Sequence, residues 1–321
     1  MRLTEIETEI LRCTDDKFNA LARKIFDFQS VNCSVYQQWL QINDNGKHGP
    51  LIPFLPVSFF KTHELRSWDA QADEKCFKSS STSGTGESRH FVPFPAWYEA
   101  IFEDIFNRFY GEASQYHFIA LLPGYMDRPD SSLVYMAEKL LKKAAAHSFS
   151  TTDIQIAKKH IEASNKPVFL LGVTFALLEM AELGTIQFPE GSIVMETGGM
   201  KGRRKEMIRE EVHQILTDRF GMQEIHSEYG MTELMSQAYS KGTGVFNCPP
   251  WMRITITDPS DPGCELPMGK TGRICITDLG NLYSCAFIAS DDLGKLHPDG
   301  SFEVRGRADF SDVRGCNLMW G

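Results

Sequence analysis

Apolar positions recur at two different periods along this chain, and the period changes in a regular order. In the first 40 residues Ile6, Ile10, Phe18, Leu21, Ile25 and Phe28 fall near the 3.6-residue spacing that lines one face of a helix. The stretch GPLIPFLPV (49–57) holds three prolines, which fix φ and remove backbone donors, so an irregular crossover is expected there. An aromatic helix is predicted over 97–110. Short apolar runs then alternate with amphipathic stretches: strand 117–122, helix 131–146, strand 167–173, helix 174–183, strand 192–196 and helix 205–220. The last of these places Ile208, Val212, Ile215, Leu216 and Phe220 on one face. Alternation of strand and helix predicts a largely parallel sheet with helices on its faces. Beyond residue 245 the runs shorten and become β-branched, at 252–257, 272–277 and 301–304, with Asp, Pro and Gly between them, as in hairpins. The expected fold class is α/β, with mostly parallel sheets flanked by helices and a small β-rich subdomain at the C-terminal end. The chain, 1–321, reads as one domain: an α/β body over 1–240, the β-rich part over 245–305 and a hinge-like end over 306–321.

Composition narrows the partners. The 33 Lys and Arg against 42 Asp and Glu give a net charge of −9, which repels nucleic acid and anionic membranes on average. A polyanionic ligand therefore needs a local cluster of donors. Eight cysteines, at 13, 33, 76, 248, 264, 275, 285 and 316, form no C-x-x-C pair and no zinc spacing with histidine. The opening MRLTEIETEI lacks a basic-then-apolar signal, and no apolar run reaches the roughly 18 residues of a membrane helix. Reduced thiols in a cytoplasmic protein with no membrane span are expected.

Four polar segments could carry chemistry. SSSTSGTGES (79–88) is too small and polar for a core, but its amides and hydroxyls can turn toward an anion; otherwise it is a flexible surface loop. It lacks the lysine of a Walker loop and the third glycine of a dinucleotide fingerprint. HSEYGMTE (226–233) offers an aromatic, a glycine that allows close backbone approach, and an acid able to hold a hard cation; it could equally cap a helix. ETGGMKGRRK (196–205) follows a strand end, where open α/β sheets bind ligands, and its cations are either solvated or matched by an anion. SDDLGKLHPDGSFEVRGRADFSDVRG (290–315) mixes Asp, Gly and Arg as a ribose and phosphate site would, and as hairpin loops also would.

In order and spacing, these segments resemble the adenylate-forming superfamily of acyl- and aryl-CoA ligases, adenylation domains and luciferases. Ser81-Thr82-Ser83-Gly84-Thr85-Gly86 resembles its phosphate loop, and Tyr229-Gly230-Met231-Thr232-Glu233 its Y-G-x-T-E motif. Ser290-Asp291-Asp292-Leu293-Gly294 is similar to its T-G-D-L segment, and Gly306-Arg307, with Asp309 and Asp312 after it, to its hinge. LLPGY and SSLVYM within 121–136, Gly-Gly-x-Lys at 198–201 and SDVRGC at 311–316 bring the chain nearest the acyl-protein synthetases of bacterial luminescence, the long-chain-fatty-acid–luciferin-component ligases. Phenylacetate-CoA ligases are a more distant likeness.

The resemblance implies an ATP-dependent enzyme with Mg²⁺ that makes an acyl-adenylate from a carboxylic acid, by this subgroup a fatty acid, and passes the acyl group to a thiol. It implies that Thr82, Ser83, Gly84, Thr85 and Gly86 wrap phosphates, with Arg89 where the family has Lys. Gly198, Gly199, Tyr229 and Gly230 would line the adenine pocket, flanked by Lys201 and Met231. Thr232 would bond the α-phosphate, Glu233 hold Mg²⁺, Asp292 accept from the ribose and Arg307 reach the ribose or α-phosphate. Cys316, beside the hinge, is the candidate acceptor within the chain; coenzyme A or a carrier or reductase partner protein are the others. The phosphate loop is one residue shorter than in the family, and the sequence has no counterpart of the C-terminal lid domain that supplies a lysine in two-domain relatives. A non-catalytic nucleotide- or acyl-binding module, and the large domain of a split CoA ligase, are the alternatives.

Overall fold

Three sheets carry the molecule. The computed structural model describes residues 3–43, 52–79, 86–124, 128–198, 207–261 and 263–307. The first sheet runs in the order Phe149–Thr151, His117–Leu121, Val168–Gly172, Ile193–Glu196, His226–Tyr229, Ala238–Lys241. Its first five strands are parallel and the sixth is antiparallel to the fifth. HFIAL and VFLLG are buried along their whole length, as strands covered on both faces must be. Helix Pro95–Tyr110 packs on this sheet through Phe106, whose ring lies 5.0 Å from that of Phe169. Helices Ser132–Lys143, Ile154–Glu162, Thr174–Glu182 and Arg209–Phe220 supply the connections.

The second sheet is antiparallel, in the order Val245–Phe246, Phe302–Arg307, Phe287–Leu296, Thr271–Asp278, Met252–Thr257. Leu55–Pro56, from the proline-rich crossover, adds in parallel to Phe287–Leu296. The third is the hairpin Lys75–Lys78 with Arg89–Val92. The expectation of mostly parallel sheets is therefore corrected: it describes one sheet of the three. Nor is the second sheet built only from C-terminal residues, because an edge position is filled by the segment at 55–56. Paired backbone between Tyr239 and Asn247 (N to O 3.1 and 2.9 Å) links the first two sheets where the chain passes from one to the other.

Helices Leu3–Leu11 and Asp15–Asn32 lie over the Leu279–Asn281 turn of the second sheet, and Ser34–Asn43 packs on the second of them, with Tyr36 stacked on Phe287. Helix Asp15–Asn32 buries Phe18, Leu21, Ala22, Ile25 and also Gln29. The Gln29 amide donates to the carbonyl oxygens of Asn281 (2.8 Å) and Leu282 (3.0 Å) and accepts from Ala286 N (2.9 Å). A buried amide with all these partners satisfied holds the 279–286 turn rather than destabilising the core. In helix Arg209–Phe220 the buried face is Val212, His213, Leu216 and Phe220. Ile208 and Ile215, expected on that face, are 62% and 36% exposed. Among the described residues no helix is long and apolar enough to cross a membrane.

Candidate functional site

The hairpin Lys75–Lys78 and Arg89–Val92 ends in the Ser/Thr/Gly-rich segment. Ser79 N donates to Ser88 O (3.1 Å) and Ser88 N to Ser79 Oγ (2.9 Å), so the two described arms of the hairpin are tied together at this pair. Gly86 has φ +90°, a left-handed value that glycine adopts without strain, and lines a cavity of about 330 Å³. Thr82, Ser83, Gly84 and Thr85 lie outside the described residues, as do Gly199, Lys201, Asp309, Asp312 and Cys316.

The same cavity is lined by Gly230, Met231, Thr232, Glu233, Asp292 and Arg307, which stand as far as 77 residues apart in sequence (307 − 230). The turn bearing Thr232 and Glu233 is clamped on both sides. His90, in the hairpin, is 1% exposed, and its Nδ1 meets the Thr232 carbonyl oxygen at 2.8 Å. A carbonyl only accepts, so Nδ1 carries the proton. Asn281 Nδ2 donates to the Glu233 carbonyl oxygen (2.8 Å). Directly beyond, the Asp278 carboxylate accepts from Met235 N and Ser236 N (2.9 Å each) and from Ser236 Oγ (2.7 Å). The backbone that presents Glu233 is thereby fixed to the Lys75–Lys78/Arg89–Val92 hairpin and to the second sheet at once.

Glu233 is 7% exposed, and burial raises its carboxyl above the ordinary range, with Ser88, Arg307 and Lys61 pulling the other way. Burial likewise raises Asp292, against the Tyr229 hydroxyl, which donates to Oδ2 at 2.8 Å, and Arg307, whose Nε is 3.4 Å from Oδ1. The Arg307 side chain is 81% exposed, so water screens that pair. Asp292 lies directly across the ladder from Arg307. That register needs Gly294, where a Cβ would stand 2.3 Å from Glu303 O.

Glu228 is half-buried by area because it opens on the cavity, yet it lies deep in the fold. Burial pushes its carboxyl up to about 7, offset by the Tyr239 hydroxyl at 3.5 Å. Glu196 behaves oppositely. Burial alone would raise it, but His213, Ser227, Thr174 and Arg209 together hold it down at about 2. Its Oε2 accepts from Thr174 Oγ1 and from Gly198 N, both at 2.8 Å, which anchors the chain where it leaves the strand.

Several predicted residues therefore share one cavity, whereas three described ones, Arg89, Gly198 and Tyr229, stand apart from its lining. Gly198 makes its bond to Glu196, and Arg89 faces Glu64 (3.9 Å) and the ring of Phe91. Tyr229 packs edge-on against Phe302 (5.4 Å) and offers the site its hydroxyl through Asp292. Three lining cations went unpredicted: Lys61, Lys78 and Arg128. Lys78 and Arg128 share Asp130 (3.5 and 3.7 Å), and Arg128 donates to Ser79 O (3.0 Å), placing two positive charges at the base of the loop. Alternation within 75–78 could have revealed the strand carrying Lys78; nothing local marks the other two.

A divalent cation fits this donor set in one way only. Among the described residues no three His, Cys, Asp or Glu converge as a cage. Mg²⁺ is commonly held by one or two carboxylates together with substrate phosphates and water, and Glu233 is a buried carboxylate on a cavity that Lys61, Lys78, Arg128 and Arg307 also line. Among the described cysteines none lines the cavity, and burial raises the thiols of Cys33, Cys275 and Cys285, that of Cys275 up to about 11.

No family model matches the chain. Its sequence is 23% identical over 330 residues to the long-chain-fatty-acid–luciferin-component ligase of Aliivibrio fischeri, covering 93% of this chain and 86% of that protein. Against the ligase of the same description from Vibrio harveyi it is 22% identical over 293 residues, covering 83% and 76%. ATP-bound MatB from Rhodopseudomonas palustris superposes with a TM-score of 0.53 at 14% identity, over 72% of this chain and 47% of that one. O-succinylbenzoate coenzyme A synthetase (MenE) from Bacillus subtilis with AMP gives 0.52 at 16%, over 72% and 49%. The matched region spans about half of those two structures, and the likeness to them is one of fold. In sequence the chain resembles the luciferin-component ligases over most of its length, the likeness its motifs carry.

Proposed function

We propose that this chain, similar to ligases along most of its length, activates a carboxylic acid with ATP and passes the acyl group to a thiol. One observation supports the reading: Ser79, Gly86 and Ser88 at the end of the hairpin, the clamped Glu233 and Asp292, held by Tyr229, line a single cavity. In the first step a carboxylate oxygen bonds to the α-phosphorus of ATP as its bond to pyrophosphate breaks. In the second a thiolate attacks the acyl carbon, and AMP leaves with the bonding electrons. A carboxylate is a weak nucleophile, so positioning and charge neutralisation must supply the rate. Lys61, Lys78, Arg128 and Arg307 supply positive charge along the cavity wall. Glu233 would hold Mg²⁺, which when bound neutralises phosphate charge. Asp292, pre-oriented by Tyr229, would accept from the ribose hydroxyls, and Thr232 would bond the α-phosphate. Cys316, coenzyme A and a carrier or reductase partner protein remain the three acceptors; labelled acyl-enzyme undiminished in Cys316→Ala would remove the first.

A buried carboxylate such as Glu233 lowers stability, and a module that only scaffolds gains nothing from keeping it. Acid-dependent exchange of labelled pyrophosphate into ATP decides between the two readings. Exchange that requires a carboxylic acid supports activation; ATP binding without exchange, for every acid in a broad panel, contradicts it. Within the same assay, Asp292→Asn keeps the shape and the Tyr229 contact but removes the charge. A charge-assisted hydrogen bond contributes about 1.5–3 kcal/mol, so KM for ATP is expected to rise at least about tenfold, with kcat changing less. An unchanged KM for ATP would remove Asp292 from the nucleotide site.

A further inference from the structure

We propose that the inner end of the cavity receives a hydrogen-bond donor, a hydroxyl or an amine, carried by the acid itself, in place of the methyl end of a plain hydrocarbon chain. The inference rests on the acid-activating reading above and names its substrate class. Three residues that carry acceptor atoms line this cavity. Gln237 is 4% exposed and lines the cavity. Its Nε2 faces the Met235 carbonyl oxygen at 3.5 Å, which sets the amide's orientation because two carbonyl oxygens would repel one another. Its Oε1 is consequently buried, with no partner among the described residues. Thr197, where the chain leaves strand Ile193–Glu196, also lines the cavity, and its Oγ1 is buried and unpartnered among the described residues in the same way. Glu228 is the third. A side chain built on Gly230 would meet Glu228 Oε1 at 3.5 Å and Gln237 Cγ at 3.6 Å. The glycine therefore keeps open a gap between these two side chains.

A buried polar atom left without a partner costs about 1–3 kcal/mol, and most of those in a folded protein are satisfied. Two such atoms, on residues that line the same cavity as the Glu228 carboxylate, call for a ligand that donates once these side chains turn toward it. A methyl-ended chain would leave both unmet and desolvate Glu228 further. Sites built from acceptors discriminate against analogues lacking the donor far more strongly than apolar pockets discriminate by one methylene.

The test is acid-dependent pyrophosphate exchange with pairs of acids of equal length, one plain and one bearing a hydroxyl or amino group at successive carbons. At least one donor-bearing acid is expected to exceed its plain partner about tenfold or more in kcat/KM. Gln237→Leu is expected to abolish that preference while KM for ATP stays within about twofold. Thr197→Val, nearly isosteric, carries the same test should the leucine variant fold poorly. Glu228→Gln assigns the donor: an amine preference falls, whereas a hydroxyl preference persists. Equal or better exchange with plain acids would overturn the proposal while leaving acid activation standing. A raised KM for ATP in Gln237→Leu, with lost discrimination between ATP and purine riboside triphosphate, would overturn it by giving the donor to adenine's amino group. Exchange with no acid at all would remove the activating reading and this one with it.

Discussion

Replacing Glu233 by Gln is expected to lower acid-dependent pyrophosphate exchange about 1000-fold while leaving the protein at least as stable. The size follows from what is removed. A pre-oriented group that stabilises developing charge contributes about 10²–10³ in rate, and a carboxylate that also recruits a divalent cation belongs at the upper end, about 4 kcal/mol. The stability half follows from burial. The carboxyl of Glu233 is raised in the fold, so its ionised form is disfavoured there relative to the unfolded chain. For an acid raised in this way, ionisation above the unfolded value near 4.5 costs the native state stability. Glutamine keeps the shape and removes that cost. Exchange rates beside thermal melting separate this from a structural defect: a variant that loses activity and melts earlier would contradict the assignment.

His90 links the Lys75–Lys78/Arg89–Val92 hairpin to the Thr232 carbonyl, and its titration should be visible in stability. Burial lowers it from 6.5 to about 4, against the raising effects of the Thr232 carbonyl and Asn281. The unfolded chain therefore binds the proton first. Stability from the neutral ring is fully present above about 6.5 and is lost as pH falls toward 4. A difference of 6.5 − 4 units corresponds to about 3 kcal/mol. His90→Asn can still donate to Thr232 O but cannot titrate, so the difference in denaturant unfolding free energy between wild type and variant should shift by that amount across this window. His90→Leu removes the donor as well and is expected to lose about tenfold in exchange, because the turn bearing Glu233 is held from one side only. Parallel pH curves for wild type and His90→Asn would show that His90 is not the buried neutral group described.

The parts legible in the sequence are those whose signal is local. Runs such as HFIAL and VFLLG are too apolar to be anything but buried, and 79–88 is too small and polar to be core. What escaped is pairing across distance. His90 and Thr232 are 142 residues apart, and no local pattern announces their contact. The same holds for Gln29, which reads as an exposed amide on a helix until Asn281 and Ala286 come to meet it. Asp292 sits mid-strand in Phe287–Leu296, although the density of Asp and Gly around it reads as loop. A register shift between Leu293 and Gly294 lets the strand continue through residues that ordinarily break one. The hairpin signals at 252–257, 272–277 and 301–304 fit the antiparallel second sheet, but partners distant in sequence leave no periodic trace, which is why the added Leu55–Pro56 was not foreseen. Ile208 and Ile215 show the opposite error: apolar residues at helical spacing can still face water when a histidine takes the inner position.

If these separated segments serve one acyl-adenylate, a crystal structure with a non-hydrolysable acyl-sulfamoyl adenosine and Mg²⁺ will show it. The ribose hydroxyls are expected within about 3 Å of the Asp292 carboxylate, the sulfamoyl group beside Thr232 and the acyl group toward Gln237. Adenosine bound elsewhere, for instance in the groove between Arg108, Cys248 and Arg253, with Glu233 and Asp292 touching nothing of the ligand, would contradict it.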